Sequence, residues 1–438
     1  MHALLSVLLA SLLCATEARG DDWPQWRGAG RDGVWRESGI IEKFDKPQID
    51  IVWRQPIGPG YSGPTVADGR VFITDRQSEP EQVERVHCFD AATGEPQWSH
   101  TYACRYTIQY TAGPRACVTV DGDRAFALGA MGNLHCLDVI DGSVVWKRDL
   151  NSEYRIHSPR RDENRMPIWG IAAAPLVVGD SLVLHIGGSD GACVVALDKR
   201  TGKEKWRALA DRAQYSAPIL IEQADRQVIV CWTGDNVAGL DADTGEVYWR
   251  IPMKPKQMPI GIATPIVEGN RLFVTSFYDG SLMLELAQDS PSAKVLWRRV
   301  GPSEQETDAL HSTISTPLML DGYIYGDDSF GELRCLDAAT GERIWEDQTA
   351  TPRDRWSNIH FVQNGKRVWM FNERGELIIS RLSPQGFEEI SRAKLIEPTT
   401  AQLERRGKGV CWSHPAFANR HVFARNDKEI VCASLAAD

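Results

Sequence analysis

Along most of the chain apolar and polar residues alternate with a period of two, in runs of four to eight separated by Gly, Asp, Asn and Pro clusters. Such alternation predicts half-buried β-strands joined by tight turns. Val86–Phe89 (VHCF), Leu134–Leu137 (LHCL) and Leu333–Leu336 (LRCL) are examples. Each leads into the same punctuation: Asp90, Gly94 and Trp98 recur at identical spacing as Asp138, Gly142 and Trp146. The spacing returns as Asp198, Gly202 and Trp206, as Asp241, Gly245 and Trp249, and as Asp337, Gly341 and Trp345. An Asp and a Thr can hydrogen-bond the turn backbone while Gly takes the positive-φ position, so the motif predicts a hairpin whose second strand carries the Trp.

Upstream of each hairpin a second signature repeats: a Pro, a short apolar strand, a turn such as Asp68-Gly69, and another strand. It begins at Pro64, Pro175, Pro218, Pro265, Pro317 and Pro415, more weakly at Pro114, and at His360 in place of Pro. Eight units of about fifty residues therefore tile the chain, each reading as four antiparallel strands. That predicts an all-β, eight-bladed β-propeller. The last unit runs out after three strands, and an orphan strand near Ile49–Ile57 carries Trp53 at the repeat position. It is expected to complete the last blade, leaving no open edge. Unit five has Ser-Pro-Ser in its turn, and unit seven has Ile390 where the Trp is expected.

Composition narrows the class. The chain has 438 residues, with 49 Lys+Arg against 59 Asp+Glu and a net charge of −10. Nucleic acid is an improbable partner for such an acidic surface. Residues 1–20 hold an apolar run from Ala3 to Leu13, too short to span a membrane, then small residues. They read as an export signal with a mature start near Asp21. The alternatives are an uncleaved anchor or lipidation at Cys14, against which Leu13 argues. No later stretch is apolar enough to span a bilayer. The expected organisation is a signal at 1–20, an N-terminal extension at 21–48 and the propeller at 49–438. Nine cysteines follow the leader, an odd number, with Cys88, Cys136, Cys335 and Cys432 at one repeat position; they read as buried thiols.

The hairpin resembles the L-D-x-x-T-G-x-x-x-W repeat of the pyrroloquinoline-quinone-like propeller family, over roughly residues 49–438. That resemblance implies an eight-bladed ring. It also implies one of two kinds of function: non-enzymatic envelope modules, such as the outer-membrane barrel-assembly lipoprotein subunit, or quinone-dependent alcohol and sugar dehydrogenases. The segment Trp23–Gly33 is similar to one at the mature start of secreted bacterial propellers, where a strap across the ring is the plainer reading. A dehydrogenase needs calcium on hard oxygen ligands, a base, an Arg and flat walls around the quinone. There is no adjacent Cys pair, no haem-attachment motif and no ligand set that matches residue by residue. The expectation is thus a periplasmic or secreted binding or scaffolding module without a cofactor. PQQ with calcium is the alternative.

Candidate binding residues lie in the long connections between units, the usual place for function on a rigid ring. Residues 149–172 bring Arg155, His157, Arg160, Arg161 and Arg165 before Trp169, suited to an acidic partner, carboxylate or phosphate, or else a solvated loop. Tyr61, Tyr110, Tyr215, Trp356 and Trp412 sit shortly before strand-leading positions. Around a channel mouth they could stack a small carbohydrate or planar ligand; blade packing is the other reading. His311, His360 and His414, on three neighbouring units, could hold a metal or be satisfied core side chains. The repeat tryptophans read as structural.

Overall fold

The computed structural model describes residues 21–437 except 111, 159, 161–163 and 403–406. The export signal expected over residues 1–20 and Arg161 of the basic loop lie outside the described residues.

Eight four-stranded antiparallel sheets form the ring. Blade 1 consists of Thr65–Ala67, Arg70–Gln77, Val83–Asp90 and Pro96–Ala103, from the axis outward. Blade 8 consists of Ala416–Ala418, His421–Arg425 and Glu429–Ser434, completed on its outside by Ile51–Pro56. Trp53 pairs there with Cys432, so the N-terminal strand closes the ring as expected.

The hairpin motif explains its own residue types. Asp90 Oδ1 accepts from the Ala92 and Thr93 N–H groups and from the Thr93 hydroxyl, which in turn accepts from Glu95 N–H. Gly94 sits at φ +74°, and a Cβ there would lie 2.6 Å from the Trp53 ring of the preceding blade. Only glycine meets both demands. The same Trp-under-Gly contact recurs around the ring, for instance Trp98 beneath Gly142. Most of these indoles also donate to the next blade, as Trp53 does to Ala91 O at 2.9 Å, Trp98 to Val139 O at 3.0 Å and Trp297 to Ala338 O at 3.0 Å, whereas Trp249 bonds Gln223 of its own blade and Trp206 Nε1 has no partner. The repeated Trp is therefore a tie between blades. Directly opposite it within the sheet the neighbour is small in most blades, Cys88, Cys136, Cys335 and Cys432 among them, while blade 5 places Met283 there. All nine described cysteines are buried and free.

Blade 2 departs from the register its proline suggests. Its first strand is Thr119–Asp121, fixed by the turn at Asp121-Gly122, and not the run after Pro114. Arg115 consequently holds the place, four residues before the strand, that Tyr61 holds in blade 1.

The extension crosses the face opposite the incoming connections. Trp23 exchanges backbone hydrogen bonds with Val66, Pro24 O accepts from Val120 N–H, and Trp35 N–H donates to Gln363 O. Arg31 donates to the carbonyls of Ala174, Pro175 and Pro218. Trp26 Nε1 donates to Thr264 Oγ1 at 2.7 Å. This strap joins blades 1 to 5 and 7 and seals the channel. Where blade 7 has Ile390 in place of a Trp, the extension runs beside Ser391–Lys394, and Trp35 packs 5.5 Å from Trp369.

Candidate functional site: an aromatic cup on the channel axis

Connections entering blades 1, 2, 3, 4, 7 and 8 bring Tyr61, Tyr110, Trp169, Tyr215, Trp356 and Trp412 around one cavity of about 140 Å³. The rings touch one another across the axis. Trp169 stacks on Tyr215 at 5.1 Å, and Tyr110 lies 5.4 Å from Trp169, 5.9 Å from Trp356 and 5.9 Å from Trp412. Ring packing between blades and a flat-walled cavity are thus the same structure. Tyr110 and Trp356 hold left-handed backbone angles, φ 56° and 66°. For bulky side chains this is strained and survives only where the surroundings enforce it.

The far side of the cavity is closed by the strap and the inner strands. Trp26 stands edge-on to the His414 ring at 4.3 Å. His414 Nδ1–H donates to Pro415 O at 3.2 Å, so Nε2 accepts from the Cys117 thiol at 2.8 Å. Burial pushes the Cys117 pKa up to about 12 and lowers that of His414 to about 3. The pair is therefore a neutral thiol hydrogen-bonded to a neutral imidazole, not an activated thiolate. Gly63 makes room for it, since a Cβ there would lie 2.4 Å from the His414 ring.

Among the described residues one cation lines the cavity, Arg115. Its guanidinium donates to the carbonyls of Gly113, Tyr110 and Gln109 and lies 5.0 Å from the Tyr61 ring centroid. Burial lowers its pKa, and among the described residues no carboxylate pairs with it. Three polar atoms on the wall have no hydrogen-bond partner: Trp356 Nε1, Trp412 Nε1 and Thr313 Oγ1.

Of the residues expected from sequence, Trp169, Trp356 and Trp412 meet in this cavity, with Tyr61, Tyr110 and Tyr215. The basic loop does not join them as a charged patch. Arg165 spends its fork on the carbonyls of Gly187, Ala210 and Asp211, and Arg155 pairs with Asp190. His157 bonds Asn164, and the Arg160 backbone bonds Ser158. The three histidines are not one group either. His360 and His414 line the cavity with ring centroids 6.2 Å apart, and His360 Nε2 donates to Trp412 O. His311 points elsewhere, donating to Phe277 O and accepting from Gly301 N–H. Among the described residues no three His, Cys, Asp or Glu side chains are arranged to hold a metal. Arg115, Cys117 and Thr313 were not legible as site residues; counting back from the Asp-Gly turn, rather than from Pro114, would have found Arg115.

With fold and cavity in hand, comparison with known proteins is informative. The sequence profile of outer membrane protein assembly factor BamB matches residues 37–105 and 82–347. The chain belongs to that family. The assembly factor of Burkholderia pseudomallei is 23% identical over 70% of this chain and 72% of its own length. Quinohemoprotein alcohol dehydrogenase ADH-IIG of Pseudomonas putida is 26% identical over 67% of this chain, but the match spans 39% of that enzyme. The crystal structure of BamB from Moraxella catarrhalis shares the fold, with a TM-score of 0.59, 18% identity and coverage of 88% of this chain and 97% of that one. A quinone with calcium, as in the dehydrogenase branch, fits the described lining poorly: the walls supply flat rings and an Arg, yet among the described residues no Asp, Glu or Asn reaches the cavity to bind the cation. No helix among the described residues is long and apolar enough to cross a membrane.

Proposed function

We propose that this chain is an exported propeller that acts as a binding or scaffolding module in the bacterial cell envelope. Membership of the assembly-factor family supports the compartment and the role. The observation that carries the reading is the cavity wall, in which, among the described residues, rings and one cation converge without a carboxylate or an ionised nucleophile. Such a wall is built to hold a partner and has no general acid or base to offer. Partner proteins would dock on the connection face, where Ile168 is half exposed.

The test is fractionation of cells producing the full chain, with a photo-crosslinker at Ile168 and, as control, at Val295 on the outer strand of blade 5. The expected result is a periplasmic or secreted chain, with discrete envelope-protein adducts from Ile168 only. A cytoplasmic chain would overturn the proposal. So would dye reduction with an alcohol or sugar after loading with pyrroloquinoline quinone and calcium, which is the dehydrogenase reading.

A further inference from the structure

The aromatic cup carries chemistry that a scaffold does not need. Arg115 presents a guanidinium to the cavity with only neutral carbonyls for partners. A partly buried cation with no ion pair is costly, the buried Glu84 carboxyl acting on it only through space, and an entering anion relieves that cost. The unpartnered groups beside it have the same polarity. Trp356, 6% exposed, offers an indole N–H and Thr313, 3% exposed, a hydroxyl, neither with a partner. Buried donors left unmet are rare in native proteins and point to a missing acceptor. No carboxylate on the wall competes for them.

Size and shape select the rest of the ligand. A dry cavity near 150 Å³ accommodates a benzene ring, and this one measures about 140 Å³. Trp169, Trp356 and Tyr110 give it aromatic walls that favour a second ring by stacking or edge contact. The strained backbone at Tyr110 and Trp356 aims two of these rings, and such strain concentrates at ligand sites.

We infer that the cup binds a small aromatic carboxylate, with its one six-membered ring packed against the aromatic wall and its carboxylate on Arg115 and the Trp356 N–H. The inference rests on the binding-module reading and gives it a ligand class.

Titration of the mature protein with benzoate, followed by tryptophan fluorescence, tests it. Benzyl alcohol, with the same ring and no charge, is the reference. Benzoate is expected to quench saturably, with a dissociation constant between about 10 μM and 1 mM, and benzyl alcohol to bind at least about tenfold more weakly. In Arg115→Gln benzoate falls to the level of benzyl alcohol, whose own affinity stays put. Should Arg115→Gln fail to fold, Trp356→Phe keeps a ring and deletes the N–H; it is expected to weaken benzoate about three- to tenfold with benzyl alcohol unchanged. Absence of saturable quenching up to about 10 mM, equal binding of the two compounds, or full benzoate affinity in a folded variant overturns the inference. Envelope crosslinks from Ile168 that persist in that event would leave the module reading standing alone.

Discussion

Trp53→Ala asks whether the N-terminal strand holds the ring shut. Trp53 is 8% exposed, with its ring 5.9 Å from Phe423 in blade 8 and 6.5 Å from Phe89 in blade 1. Its N–H donates to Ala91 O in the blade 1 turn, so one side chain spans the closure. Deleting a buried indole costs about 3–5 kcal/mol, as lost transfer energy plus the cavity left behind. Trp53→Phe retains most of the packing and strands the Ala91 carbonyl, for about 1–2 kcal/mol. Urea unfolding followed by far-ultraviolet circular dichroism measures both, provided the slope with denaturant is unchanged. Trp98→Ala is the internal comparison, because Trp98 makes the equivalent tie from blade 1 to Val139 of blade 2. Val52→Ser, at a position 51% exposed, is the neutral control. Equal losses from Trp53→Ala and Trp98→Ala are expected. A loss under about 1 kcal/mol for Trp53→Ala alone would refute the claim that the closing strand is held like any other blade contact.

Four further outcomes follow from the geometry. His360 and His414 are buried neutral, their pKa values lowered by burial to about 4 and about 3. The unfolded chain then binds protons that the folded one refuses, so stability is full above the ordinary histidine value and falls with pH below about 6.5. His414 alone should cost on the order of 3 kcal/mol at pH 4, and His414→Gln should flatten the denaturation profile across that window. Arg31→Met should cost about 1–3 kcal/mol by stranding the Ala174 and Pro218 carbonyls, Pro175 O keeping its bond from Thr119, and speed hydrogen exchange at the Val66 and Val120 amides that the strap protects. Gly63→Ala, whose methyl would collide with the His414 ring and carbonyl, should lower stability by about 1–3 kcal/mol in the same urea assay. Ellman's reagent should find no reactive thiol in the native protein and nine in urea for a chain starting at Asp21.

The blade count, the hairpins and the closing strand were legible because each rests on local chemistry repeated many times: an Asp-Thr-Gly turn, a Trp four residues on, a period of two. The aromatic cup was half legible. Tyr61, Tyr215, Trp356 and Trp412 lie three or four residues before their blade's first strand, and the ring geometry turns that spacing into a shared place. Arg165 and His311 were misleading for one reason: sequence shows that a polar side chain is present but not whether backbone carbonyls have already claimed it. Arg115 was hidden by a proline standing out of register. The Cys117–His414 contact joins blades 2 and 8, and no local pattern reports a pair so far apart in the chain.

Ring closure also dictates an order of events. Ile51–Pro56 is made early, yet its partner Glu429–Ser434 is among the last segments to emerge. Throughout synthesis and translocation that first strand is an unsatisfied edge with a large indole on it, and the chain that must be looped back is nearly the whole protein. Loop closure of that length is entropically modest but slow to find. Until Ile51–Pro56 docks on Glu429–Ser434, a full-length chain carries two complementary open edges, one near each end. Two such chains can satisfy each other, which makes a head-to-tail exchanged dimer the characteristic misassembly of this fold and premature termination near its C-terminus more damaging than the few residues lost would indicate.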